Sequence, residues 1–182
     1  MLKVISGPMF SEKTAELIRI FNRYKLANKN VIMFKPEKDI RYQNTEGFEE
    51  NFVTSRTGAK VKAHIVEHDQ NIIVPDCIDA VFVDECWLFT VKTIKEFLTK
   101  YHKLDIFVTT LNAFFDSKPI LTTSILLARA DKILFLTSIC PYCSNNGSRT
   151  YKAAGGAKIE IGDSAYTACC SNCWYEKTLE NN

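Results

Sequence analysis

Hydrophobic positions along this chain switch between two spacings, and the switches mark out its elements. Residues 2–6 form a short apolar run that leads straight into Gly7-Pro8, the pattern of a buried strand. From Lys13 to about Asn28 the spacing becomes helical, with Leu17, Ile18, Phe21 and Tyr24 on one face. Residues 31–34 read as a buried strand ended by Pro36, and residues 37–50 as a polar, charge-rich loop. Alternation over residues 52–66 around Arg56-Thr57-Gly58 predicts a hairpin. Then follow a strand at 80–84, a helix marked by Val91, Ile94, Leu98 and Tyr101, a strand at 106–111, a helix at 119–129 and a strand at 132–136. Strands alternating with helices predict right-handed crossovers and a mostly parallel sheet with helices on both faces. Beyond about residue 139 the texture changes to Gly, Ser and Asn between cysteine pairs. The predicted division is an α/β unit over 1–138 and a cysteine-bearing unit over 139–182.

Composition narrows the functional classes. A chain of 182 residues buries a sizeable core without cross-links. Its 23 Lys plus Arg against 21 Asp plus Glu give a net charge of +2, which argues against a nucleic-acid coat or a polybasic membrane binder. No apolar run approaches membrane-spanning length, and the first residues lack the long apolar stretch of a signal peptide, so the expected location is the cytoplasm, without a membrane partner. In that compartment seven cysteines, most of them near the C-terminus, point to a metal before disulfides.

Three groups of residues carry chemistry. Gly7-Pro8-Met9-Phe10-Ser11-Glu12-Lys13-Thr14 joins the first strand to the first helix, as a GxxxxGK[ST] phosphate loop does. There the backbone N–H groups and the helix N-terminus attract anions, the lysine pairs with the outer phosphates, and the hydroxyl binds Mg²⁺. The second glycine of that pattern is here Glu12. It places a side chain where the backbone must approach the phosphates, and it adds a negative charge. At about 4 Å and an effective dielectric near 20, one such repulsion costs roughly 4 kcal/mol, about three decades in affinity, unless the carboxylate turns to solvent or bridges to Lys13. Without a ligand, the same stretch reads as a glycine-punctuated strand-to-helix turn.

Asp84-Glu85 ends an apolar strand, where one acid can serve Mg²⁺ and its neighbour can accept a substrate proton; the plain alternative is a solvated acidic strand end. Cys140-Pro-Tyr-Cys143 and Cys170-Ser-Asn-Cys173 are two CxxC pairs of the spacing that closes a tetrahedral, structural zinc site. Redox pairs or buried free thiols are the alternatives, and a redox CxxC is expected to follow a strand and open a helix, unlike these. Cys169 competes with Cys170 as a ligand, and the CxxC register favours Cys170. Cys77 and Cys86 read as small buried hydrophobes.

Taken in order, these motifs resemble the thymidine kinase family of the cellular, bacterial and poxvirus type. The resemblance rests on the phosphate loop, on Lys35-Pro36 with Asp39-Ile40-Arg41-Tyr42, on Phe82-Val83-Asp84-Glu85, on Leu111-Asn112 with Phe115, and on Ile161-Gly162 with Tyr166, Cys170 and Cys173. It implies a RecA-like phosphate-loop domain, a small zinc-ribbon-like domain with a lasso loop at about residues 153–166, and a homotetramer that passes the γ-phosphate of ATP to the 5′-hydroxyl of thymidine. By the same resemblance Gly7, Ser11, Lys13 and Thr14 serve ATP and Mg²⁺ together with Asp84. Glu85 is the general base and Arg41 touches the transferring phosphate. Met9, Phe115, Thr150, Ile159 and Tyr166 surround the nucleoside, and Cys140, Cys143, Cys170 and Cys173 hold Zn²⁺.

Departures from the family pattern cluster at the site. Besides Glu12 they are Trp87 for glutamine, Leu88 for an aromatic, Thr110 for glycine, Asn112 for aspartate, Phe114 at a position usually small or polar, and Asp163 for glycine. Two functions therefore compete: a thymidine kinase weakened at its phosphate loop, and a kinase-like binding or scaffold protein. A nucleic-acid-binding ribbon is disfavoured, because residues 140–173 carry only Arg149, Lys152 and Lys158 as cations.

Overall fold

A computed structural model describes residues 1–39, 49–152 and 165–180. Strand β1 (Leu2–Gly7) leads into α1 (Lys13–Leu26) and β2 (Val31–Pro36). The hairpin strands β3 (Phe52–Thr54) and β4 (Lys60–Lys62) precede β5 (His64–Val66) and β6 (Ala80–Val83). A single 3₁₀ turn at Cys86–Leu88 is followed by α2 (Val91–Lys100), β7 (Asp105–Leu111), α3 (Leu121–Arg129) and β8 (Lys132–Phe135). The sheet order is β5-β2-β6-β7-β1-β8 and every pairing in it is parallel. Strand β7 separates the phosphate-loop strand β1 from the acid-bearing strand β6, as expected of the RecA-like class.

The period of two along each strand sorts its side chains between the two faces. Ile5, Met33, Phe82 and Phe107 pack with Leu17, Ile18 and Phe21 of α1 on one face. Val4, Phe34, Val81, Val83 and Val108 pack with Ile94, Phe97 and Leu98 of α2 and Leu126 of α3 on the other. Phe82 and Phe107 stack with centroids 4.8 Å apart, and Tyr24 meets Phe107 edge-on while donating its hydroxyl to Asp105 at 2.9 Å. Full burial of each such side chain contributes roughly 1.5–3 kcal/mol, so the two layers hold the strand ends that carry the site.

The hairpin expected over 52–66 is real only through Lys62. Ala63 is buried in the α1 layer, and His64–Val66 leaves the hairpin to pair in parallel with β2 at the edge of the main sheet. Strand β2 continues through Pro36, which needs no N–H at that end, and Glu37 N–H donates to Val66 instead at 2.9 Å. Cys77 is exposed, contrary to expectation, because it sits at φ 65° in the turn before β6; Cys86 is fully buried as expected.

Past β8 the chain forms short antiparallel pairs, β9 (Ser138–Ile139) with β10 (Asn146–Gly147) and β11 (Arg149–Lys152) with β12 (Tyr166–Cys169), then α4 (Ser171–Glu180). Cys140, Tyr151, Cys169 and Trp174 form their common core. Among the described residues, no helix is long and apolar enough to cross a membrane.

Candidate active site and metal centre

Strand β1 delivers Gly7 to a place where only glycine fits. A Cβ there would lie 2.3 Å from the Leu136 carbonyl oxygen and 2.6 Å from Ser11 Oγ. Gly7→Ala is therefore expected to push β1 from the β8 end of the sheet and cost about 1–3 kcal/mol, read as a lowered thermal midpoint. The loop then turns through Phe10 (φ 65°) and Glu12 (φ 58°), both left-handed. Glu12 thus adopts the conformation for which glycine is suited, at a cost of roughly 1–2 kcal/mol. Its side chain is exposed, so solvent screens much of the expected repulsion.

The Pro8 carbonyl gathers the loop's polar groups. Lys13 Nζ donates to it at 2.6 Å and Ser11 Oγ at 2.8 Å, with Nζ 3.5 Å from Ser11 Oγ. At the start of α1, Thr14 Oγ1 donates to both Asp84 oxygens at 3.1 and 3.2 Å. Asp84 is fully buried, and Thr109 Oγ1 from the neighbouring β7 donates to its Oδ1 at 2.5 Å. The same Thr109 oxygen accepts the Glu85 N–H at 2.9 Å. One hydroxyl thus fixes both acids, a role that sequence reading missed. Glu85 is left-handed (φ 49°), and Trp87 Nε1 donates to its Oε2 at 2.5 Å. Lys13, Thr14 and Glu85 line a cavity of about 40 Å³ with Phe10, Ser11, Glu12, Ala15 and Arg56, the last also missed from sequence. Burial, then the Asp84 and Glu85 charges, push the neighbouring Cys86 thiol well up, so it stays protonated.

On the other side of the loop, Met9 N–H donates to Thr150 Oγ1 at 3.1 Å. Phe115 and Tyr166 lie with ring centroids 6.4 Å apart, and Lys152 Nζ lies 5.6 and 5.7 Å from them. Trp174 Nε1 ties the backbone of Phe115 to that of Thr150, at 3.0 and 3.2 Å. Met9, Thr150, Phe115 and Tyr166 thus converge beside the phosphate loop. Arg41, Ile159 and the lasso residues 153–164 lie outside the described residues.

Four of the departures have visible partners. Thr110 is turned to α3, its Oγ1 2.6 Å from Thr123 Oγ1, and takes no part in the acid cluster. Asn112 Nδ2 donates to Ser148 O at 3.0 Å, while its Oδ1 is buried without a hydrogen-bond partner among the described residues. Trp87 and Phe114 meet edge-to-face at 6.3 Å, beside Glu85.

The sulfurs of Cys140, Cys143, Cys170 and Cys173 all lie within 4.8 Å of one another, a set that can hold one metal ion. Cys169 is buried outside this set, as the CxxC register predicts, and burial above all pushes its thiol up to about 12. Burial raises the Cys140 thiol, but N–H donors of Cys170, Tyr142 and Cys143 outweigh it and bring it down to about 6. Hydrogen bonds to Cys170 and Cys143 push Cys173 the other way. One expectation fails: Cys170-Ser-Asn-Cys173 does follow a strand, β12, and open a helix, α4. What separates it from a redox pair is the convergence of Cys140 and Cys143 on the same point.

A parallel sheet whose first strand runs into a phosphate-type loop, with a buried acid bonded to that loop's threonine, defines a phosphate-loop α/β protein; the cysteine cluster adds a site that can hold a metal ion. The sequence model of thymidine kinase matches residues 1–174, and the chain belongs to the thymidine kinase family. It is similar to thymidine kinase of Pseudothermotoga lettingae, 34% identical over 100% of this chain and 97% of the relative. Thymidine kinase of Pyrobaculum aerophilum is 31% identical over 93% of this chain and 96% of its own, and that of Rabbit fibroma virus 29% identical over 96% of each.

Proposed function

We propose that this chain transfers the γ-phosphate of ATP to the 5′-hydroxyl of thymidine. The observation that carries this reading is the single network of Thr14, Asp84, Thr109 and Glu85, which joins the phosphate loop to two differently placed carboxylates. Lys13, held over the loop by Pro8, neutralises charge on the outer phosphates. Thr14 and Asp84 would hold the Mg²⁺ that accompanies ATP, which would neutralise negative charge on the phosphates. Glu85, oriented by Thr109 through its backbone and by Trp87 through Oε2, accepts the proton of the attacking hydroxyl. Gly7 and Ser11 shape the loop, and Arg41 meets the transferring phosphate. Met9, Phe115, Thr150, Ile159 and Tyr166 surround the nucleoside. The four cysteines hold a structural Zn²⁺ that supports residues 139–182 as a unit distinct from 1–138. A cytoplasmic homotetramer completes the reading, by the family resemblance.

One observation favours a second reading, a member that binds nucleotide without phosphorylating. Trp87 already occupies Glu85 Oε2, beside Phe114. Conversion of thymidine to its monophosphate by the metal-loaded protein separates the two, measured beside Glu12→Gly. Because Glu12 is exposed, the repulsion at 4 Å falls toward about 1 kcal/mol, so the variant is expected to lower the KM for ATP about fivefold rather than a thousandfold. Product from the unmodified chain supports the kinase. Absence of product from both proteins overturns it.

A further inference from the structure

Among the described residues, the cavity at the phosphate loop is lined by two carboxylates, Glu12 and Glu85, and by two cations, Lys13 and Arg56. Without Arg56 this described lining would carry a net negative charge, which opposes a polyphosphate. Arg56 comes from outside the loop, at the tip of the β3–β4 hairpin. That tip is built to hold it. Val53 and Val61 anchor the two strands in the hydrophobic layer of α1. Buried Ser55 closes the turn: its N–H donates to Ala59 O at 2.9 Å, its carbonyl accepts from Gly58 at 3.0 Å, and its Oγ accepts from Ala59 N–H at 3.1 Å. Gly58 supplies the φ of 86° that the turn requires. The Arg56 guanidinium then lies over the Phe10 ring, with Cζ 4.0 Å from the centroid. Stacking engages the face of the guanidinium, whereas its N–H donors lie in its plane, the arrangement in which arginine grips phosphate while resting on an aromatic ring.

We propose that Arg56 is a phosphate-contacting residue that offsets the charge of Glu12 and makes this loop competent for nucleotide. Phe10 is its platform, and the hairpin is the arm that delivers it. The inference rests on the reading of the loop as a nucleotide site and adds the residue by which this chain tolerates a glutamate there.

Calorimetric titration of the full-length, metal-loaded protein with the Mg²⁺ complex of the β,γ-imido analogue of ATP tests it. Arg56→Gln is expected to weaken binding at least tenfold, and Arg56→Lys, which keeps the charge but loses the planar fork, about threefold, with unchanged melting midpoints. Adding Glu12→Gln to Arg56→Gln is expected to restore affinity to within threefold of the unmodified protein. Arg56→Gln binding within twofold of the unmodified protein overturns the contact, and a double variant as weak as Arg56→Gln overturns the charge balance. If the unmodified protein itself fails to bind, the nucleotide-site reading falls first, a result distinct from either.

Discussion

Glu85→Gln is expected to lower thymidine phosphorylation by about 10²–10⁴-fold while leaving the fold and nucleotide affinity in place. The substitution keeps the side-chain shape and removes only the ability to take up a proton. Thr109 holds residue 85 through its backbone N–H, so that bond survives. Trp87 Nε1 can donate to an amide oxygen as it does to the carboxylate. Thr14 and Asp84 are untouched, so the phosphate side retains its geometry. Single-turnover assays, with nucleotide titration as the control, measure the effect. A variant that keeps more than a tenth of the rate would move the base to another group.

Loss of the proposed zinc is expected to have the second large effect. Removing the ion with a chelator, or one ligand by Cys140→Ser, is expected to unfold the segment built on β9 to β12. Structural zinc sites in small peptides contribute about 10–16 kcal/mol, and even about 4 kcal/mol lost here lowers the melting midpoint by about 8–16 °C. Cys140 is fully buried, so serine there leaves three thiolates around an ill-matched hydroxyl. Metal analysis should give one zinc per chain in the unmodified protein. A melt that is indifferent to both chelation and Cys140→Ser would show that the cysteines are mere packing.

How much of this was visible beforehand depends on the range over which each residue acts. The loop from Gly7 to Thr14 and the pair Asp84-Glu85 declare themselves because their chemistry is concentrated in a few adjacent residues at the end of an apolar run. The two-face sorting of β1, β2, β6 and β7 is legible for a similar reason: it follows from local alternation. Thr109 was not legible, since it acts on Asp84 and Glu85 only because β7 lies beside β6. Its one trace is a hydroxyl pair, Thr109-Thr110, at the end of an otherwise apolar strand. Three-residue β5 and the short strands after residue 137 are below the length at which a period can be counted. Departures such as Trp87 and Thr110 stood out as substitutions, but only the fold shows that one grips the acid and the other has turned to a helix.

The phosphate-loop turn is finished by a residue far downstream. Thr150, 141 positions after Met9, accepts that turn's N–H, and Ser148 accepts from Asn112, whose own N–H donates to Gly7 O at 3.2 Å. A fragment cut at residue 138 would therefore carry a loop stripped of its outer wall, with the Met9 donor handed back to water. For anyone grafting or recombining relatives of this chain, the transplantable piece is the loop together with β11. Exchanging the first half alone would mismatch the seam between the loop and β11.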